Sequence, residues 1–444
     1  MRKQLWLFSI VLAFALIAAA CGGDSDDETT TEAPATETTE AMTETTEGTT
    51  ETTEGTTETT AAMVETNIGL VYDIGGRGDQ SFNDSAAAGL DKATAELGIT
   101  PSEASASGDG SNREELLSLQ ADQSDLVFGV GFLFATPMTN AATASPDVNF
   151  AIVDDASVDL PNVAGLTFAE QEGSFLVGVA AALKSENGHV GFIGGVSIDL
   201  IKKFEAGFIA GVNAVDPSIT IESQYITEPP NFDGFVDPAS GKVIAQSMFE
   251  KGADVVYHAA GGSGAGLFTA AKEYSEANDT KVWAIGVDSD QYLTAGDDVK
   301  DYILTSMLKR VDVAVFNTIQ AQVDGTFAPG NTVFDLSVDG VGYSTSGGFI
   351  DDIVSDLEGY KAQIIAGDIE VPITPLSKQN RIETCVGSDY CPIPHSLLGG
   401  LYGISGVTGG NHQAIPGGYR QRRGQPRRRR RRNPCNLRGE RGRE

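Results

Sequence analysis

The chain has 444 residues, with 62 Asp and Glu against 30 Lys and Arg, a formal net charge of -32. That balance argues against a nucleic-acid partner, because holding a phosphate backbone takes clustered Lys and Arg, and the chain's one such cluster is confined to residues 420–444. Of the four histidines only His189 and His258 fall between residues 67 and 376, and that stretch has no cysteine. Neither a metal cluster nor a Ser-His-Asp constellation is in view, so no enzyme chemistry, metal or cofactor is expected.

At the start, Arg2 and Lys3 precede an apolar run, Leu5 to Ala20, that stops at Cys21. This is the pattern of a signal peptide covering 1–21, since a membrane span takes about 20 apolar residues without such a break. Ala18, Ala19 and Ala20 before Cys21, with Gly22 and Gly23 after it, resemble a bacterial lipobox with Cys21 as the lipidated residue. Ala18 stands where a lipobox usually has a bulky aliphatic side chain, so secretion without a lipid stays open as the alternative. The expected location is the extracytoplasmic face of the cell membrane, held by lipid. From Asp24 to Glu65 come 13 acidic residues and no basic one. Such a segment buries too little apolar surface to order itself, and residues 22–66 read as a disordered, self-repelling tether.

From 67 to 376 short apolar runs alternate with helical patterns. NIGLVYDI, DLVFGVGF, VNFAIVDD, NVAGLTF, HVGFIGG, ITIESQYI, DVVYHAAG and KVWAIGVDSD read as strands ending in Gly or Asp. Segments 84–97, 113–121, 173–184, 202–214, 241–251 and 265–277 read as helices between them. Such alternation predicts an α/β fold with parallel sheets flanked by helices, and about 310 residues exceed what one core supports, so two lobes are expected. Ligands of such folds bind beyond the carboxyl ends of the strands. The residues there are Asp73, Gly131, Phe132, Asp154, Asp155, Gly194, Gly195, Gly261, Gly262 and Asp288.

The stretches GLVYDIGGRGDQSFNDSAAAGL, NVAGLTFAEQEGSFLVGVAAAL, IKKFEAGFIAGV, GADVVYHAAGGSGAG and AIGVDSDQ resemble the basic membrane protein family of PnrA-like solute-binding lipoproteins, over residues 68 to 376. The resemblance implies a type I periplasmic-binding-protein fold, two Rossmann-like lobes with a ligand cleft between them. It further implies a monomer that captures a purine nucleoside (guanosine, inosine or adenosine) for an ABC permease and its ATPase. Carried over by motif, Asp73 and the DQSFN stretch form the first ligand loop, with Asn83 in it and Phe82 stacking on the base. Phe235 supplies the opposite aromatic face, with Phe232 as its substitute. Gly262 gives close backbone approach, Asp288 grips ribose hydroxyls and Lys309 stands beside it.

Each residue also has a plainer reading. A Phe often belongs to a core, and an Asp ending a strand is often a helix N-cap, open here for Asp73, Asp154 and Asp288. Lys309, apart from the resemblance, reads as a solvated helix residue. The same fold with a sugar as ligand, or a surface sensor or adhesin without a permease, are the alternative functions. Beyond the resemblance, residues 377–444 lose periodicity, and 420–444 hold 12 Arg against 2 Glu. Composition favours a shifted reading frame there over a basic arm for anionic lipid, with disorder in either case. Cys385, Cys391 and His395 match no ordinary zinc spacing.

Overall fold

The computed structural model describes residues 65–375. The signal peptide with Cys21, all but the last two residues of the tether, and the tail with Cys385, Cys391 and Cys435 lie outside the described residues.

The first lobe runs β1 (Asn67–Tyr72), α1 (Phe82–Leu97), β2 (Thr100–Ser105), α2 (Arg113–Ala121), β3 (Leu126–Val130), α3 (Ala135–Ala144), β4 (Asn149–Val153) and β5 (Val163–Phe168). Helix α4 (Glu170–Lys184) crosses to the second lobe. That lobe runs β6 (His189–Val196), α5 (Asp199–Val215), β7 (Thr220–Thr227), α6 (Pro238–Glu250), β8 (Val255–Ala259), α7 (Ala265–Asn278), β9 (Trp283–Asp288), α8 (Gln291–Thr294) and β10 (Ile303–Lys309). Helix α9 (Val311–Val323) leads back to β11 (Gly330–Phe334), and β12 (Val341–Tyr343) and α10 (Val354–Ala366) close the second lobe.

One sheet has the order β2-β1-β3-β4-β5-β11 and is parallel throughout; the other has the order β7-β6-β8-β9-β10-β12, with only β12 antiparallel. This is the expected two-lobed α/β architecture of a type I periplasmic-binding protein. In each sheet the strand order reverses next to the first strand of the lobe, between β1 and β3 and between β6 and β8. Such a reversal leaves a crevice beyond the strand ends.

The inner strands are apolar on both faces because helices cover both. Along β1, Ile68, Leu70 and Tyr72 join a core that continues through α4 and α9 into the second lobe, while Val71 joins a separate outer core with Phe134, Met138 and Ile152. Along β8, Val255 and Tyr257 face the shared core and Val256 an outer one with Met248 and Phe268. Helix α4 is buried nearly all round. It meets α5 backbone to backbone: a Cβ on Gly211 would sit 2.0 Å from the Phe175 carbonyl oxygen.

All eight predicted strands form, as β1 and β3 through β9. Four further strands lack the pattern. The edge strand β2, TPSEAS, alternates only partly buried with exposed residues. In β10, ILTSMLK, Thr305 and Ser306 break the apolar run yet are buried and hydrogen-bonded, Thr305 to the Ser344 carbonyl at 2.6 Å and Ser306 to the Gln291 amide at 3.0 Å. The solvated-helix reading of Lys309 is corrected accordingly: it ends a buried strand and is 2 % exposed.

Candidate functional site

The crevices of the two lobes face each other and form one cleft of about 760 Å³, its open mouth included. Asp73, Phe82, Asn83, Phe235, Gly262, Asp288 and Lys309 all line it, although the chain separates the first from the last by most of the fold. Ile74, Phe132, Leu200, Ile201 and Phe204 add apolar wall.

The loop from β1 to α1 is shaped by Asp79. Its carboxylate accepts hydrogen bonds from the backbone N–H of Ser81 (2.9 Å), Asn83 (2.9 Å) and Asp84 (3.1 Å), which would otherwise be unpaired donors at the helix start. Asp79 therefore does the capping, and Phe82 is presented at the first position of α1. Asp73, just past β1, is held by Arg113, whose Nε donates to Oδ1 at 2.9 Å. Burial pushes the Asp73 carboxyl above its ordinary range, against the pull of Arg113.

Phe82 and Phe235 stand on opposite lobes, both half-buried. Phe235 lies in a short turn between β7 and α6, with its ring packed close on Gly195, where an added Cβ would stand 2.5 Å from Cδ1. Phe232 is not part of the cleft lining; its ring meets Phe132 of the first lobe at 5.9 Å between centroids.

Lys309 is the electrostatic centre. Its Nζ donates to Asp154 Oδ2 at 2.6 Å, lies 3.5 Å from Glu170 Oε1, and sits 5.0, 5.1 and 5.6 Å from the ring centres of Phe82, Phe168 and Phe204. Burial alone would lower its pKa, but Asp154, Glu170 and Asp288 outweigh that and raise it. Glu170 also takes a bond from Lys203 at 3.1 Å. Three carboxylates thus surround two ammonium groups, and burial raises both Asp154 and Asp288, the latter to about 6. Asp288 Oδ2 accepts from Ser81 Oγ of the other lobe at 2.5 Å. Further bonds cross the mouth from Ser289 Oγ to the Ser81 carbonyl (3.1 Å) and from Gln291 Nε2 to the Gln80 carbonyl (2.9 Å).

The N-cap readings of Asp73, Asp154 and Asp288 are corrected, because none of the three stands directly before a helix. Asp73 leads into a loop and Asp154 into an irregular segment, while two further residues separate Asp288 from α8, whose N-cap is Asp290. Ser81, Arg113 and Glu170 escaped the sequence reading as individual site residues. Their roles depend on partners brought near by the fold, and no local pattern signals that.

Chemically the cleft offers two aromatic faces, paired acceptor carboxylates and a buried ammonium. Among the described residues no group of side chains is arranged to hold a metal ion, and no helix is long and apolar enough to cross a membrane.

Comparison with known proteins points the same way. The profile of a family described as ABC transporter substrate-binding protein PnrA-like matches residues 66–374. A "CD4+ T-cell-stimulating antigen" of Listeria innocua is 34 % identical over 381 residues, 83 % of this chain and 97 % of that one. An "ABC transporter nucleoside-binding protein" of Lactococcus lactis is 36 % identical over 320 residues, 68 % of this chain and 88 % of that one. The crystal structure of a solute-binding protein of an ABC transporter system from Aeropyrum pernix superimposes with a TM-score of 0.61 at 28 % identity, covering 72 % of this chain and 96 % of that one.

Proposed function

This chain belongs to the PnrA-like family of ABC transporter substrate-binding proteins, and on that premise we propose that its solute is a purine nucleoside. As a substrate-binding protein it captures and delivers; it is not an enzyme. The observation that carries the nucleoside reading is the pair Phe82 and Phe235, one from each lobe, lining a single cleft that also holds Asp288 and Lys309. Aromatic side chains bind a flat base by stacking, worth about 1–3 kcal/mol per base. A buried carboxylate accepts hydroxyl bonds more strongly than a neutral group does, and Lys309 offsets its burial cost. The name of the Lactococcus lactis relative supports the same ligand class.

In this reading Asp73 and Asn83 order the first ligand loop, Gly262 admits close backbone approach, and closure of the lobes presents the loaded face to a permease with its ATPase. Residues 67–376 form the binding domain, and a lipid on Cys21 holds it at the outer face of the membrane by way of the acidic tether. A single acyl chain would hold it only marginally, so retention calls for the several chains of a bacterial lipoprotein.

The test is isothermal titration of the protein, unfolded and refolded to strip carried-over solute, against guanosine, inosine, adenosine, pyrimidine nucleosides, free bases and ribose. Tight one-to-one binding of a purine nucleoside, lost in Asp288→Ala, is the expected result. Silence toward every nucleoside would overturn the reading, and binding of ribose alone would turn the site over to sugars. For the anchor, Cys21→Ala is expected to release the protein from the membrane fraction.

A further inference from the structure

His258 and Gln291 stand behind the cleft, in the second lobe, and neither lines it. His258 is fully buried and Gln291 is 1 % exposed. Both fall in stretches that carry the family resemblance, GADVVYHAAGGSGAG and AIGVDSDQ, yet neither belongs to the solute contacts. Two glycines make room for the pair. A Cβ on Gly264 would stand 1.9 Å from His258 Cε1, and one on Gly286 would stand 2.6 Å from Gln291 Oε1.

Hydrogen bonds fix which way the Gln291 amide points. A backbone N–H can only donate, so the Val287 N–H at 2.8 Å identifies Oε1. A carbonyl can only accept, so the Gln80 carbonyl at 2.9 Å identifies Nε2. His258 Nε2, 3.0 Å from the same Oε1, therefore carries the ring proton and donates. Burial holds the imidazole neutral, with its pKa lowered to about 4. The Gln291 backbone N–H is bound in turn to Ser306 Oγ at 3.0 Å.

All these bonds but one stay within the second lobe; the bond from Gln291 Nε2 to Gln80 crosses to the first. Its acceptor is prepared as well. Gln80 holds left-handed backbone at φ 57°, uncommon outside glycine, and its N–H is tied to Asp84 Oδ2 at 2.9 Å. Each lobe thus holds its own half of the bond in place, and joining the halves costs little further ordering.

We propose that Gln291 is a latch between the lobes, with His258 as its positioning residue: it holds the cleft closed without touching solute, and so populates the closed form before solute enters. The latch rests on the movement of two lobes about a cleft, whatever solute that cleft takes.

The experiment measures the separation of the lobes in the full chain, unfolded and refolded to strip solute. Paramagnetic labels are carried by unnatural amino acids at Leu119 of α2 and Val243 of α6, both exposed and one on each lobe, and the distance distribution is read by double electron resonance. Wild type without solute is expected to show a closed population, at the separation found in this structure. Gln291→Met and His258→Leu should lower the ratio of closed to open about fivefold, the worth of one hydrogen bond. His258→Gln, which returns an amide donor to the place of Nε2, should bring that ratio back to within about twofold of wild type. If Gln291→Met fails to fold, Gln291→Glu at pH 8 keeps an acceptor for Val287 and His258, loses the donor to Gln80, and is expected to open the lobes likewise. A merely structural role would lower the melting temperature of the variants and leave the ratio where it was, and that result overturns the latch. A wild type found wholly open without solute overturns it too. No step uses a nucleoside, so the nucleoside reading and the latch fail separately.

Discussion

Ser81 Oγ donates to Asp288 Oδ2 at 2.5 Å, so a loop of one lobe steadies the carboxylate that the other lobe presents to the cleft. Hydrogen bonds to charged groups contribute about 1.5–3 kcal/mol. Ser81→Ala is therefore expected to weaken nucleoside binding about tenfold or more by titration calorimetry, with most of the loss in faster dissociation. Unchanged affinity would mean that the grip of Asp288 does not depend on contact between the lobes.

The same carboxylate predicts a pH dependence. Burial raises Asp288 from 3.8 to about 6; Lys309 and Ser81 pull it down, and Asp79 and Asp154 push it up. With the folded pKa above the unfolded one, the folded chain holds this proton more tightly. Asp288 therefore takes stability away as pH rises through the window from about 4 to 6. Binding runs the other way, since the ionised form is the better hydroxyl acceptor. Affinity is expected to rise by up to about tenfold per pH unit below 6 and level off above it. Asp288→Asn should flatten that rise. A wild type with constant affinity from pH 5 to 8 would contradict the assignment.

How much of this was legible in the sequence depended on whether a signal was local. Strands such as VNFAIVDD show themselves because burial on both faces demands unbroken apolar runs. Strand β10 does not, because Thr305 and Ser306 satisfy their hydroxyls against Ser344, just past β12, and the backbone of Gln291 at the start of α8, groups 39 and 15 residues away along the chain. The site divides the same way. Asp288 and Phe82 sit in motifs that resemble a family. Arg113 beside Asp73 and Glu170 beside Lys309 are ion pairs that exist only once the lobes have folded. Phe232 and Phe235 share one short segment, and sequence alone ranked them without deciding; the structure puts only Phe235 on the cleft.

The contact of α4 with α5 gives a prediction on stability. In an exposed helix, replacing Gly by Ala stabilises by about 1 kcal/mol. At Gly211 the new methyl would stand 2.0 Å from the Phe175 carbonyl oxygen, and backbone has nowhere to retreat. Gly211→Ala is expected to destabilise by about 1–3 kcal/mol, the usual cost of overpacking. Urea denaturation monitored by circular dichroism reads this directly, and a stabilised variant would show that the two helices are free to part.

The two phenylalanines of the segment from Phe232 to Phe235 should behave differently when removed. Phe235 faces the cleft opposite Phe82, so Phe82→Ala and Phe235→Ala should each weaken purine nucleosides by about 1–3 kcal/mol, the worth of one stacked base, while leaving any weak binding of free ribose as it was. Phe232 instead packs on Phe132 across the mouth, at 5.9 Å and 58°. That contact stabilises the closed lobes whatever they hold. Phe232→Ala is therefore expected to weaken every ligand by the same factor, about the 0.5–1.5 kcal/mol of an aromatic pair. Titrating one purine nucleoside, one pyrimidine nucleoside and ribose against the three variants separates the two effects. If Phe232→Ala proved selective for the base and Phe235→Ala did not, the stacking face would belong to Phe232, and the turn between β7 and α6 would have to rearrange when solute binds.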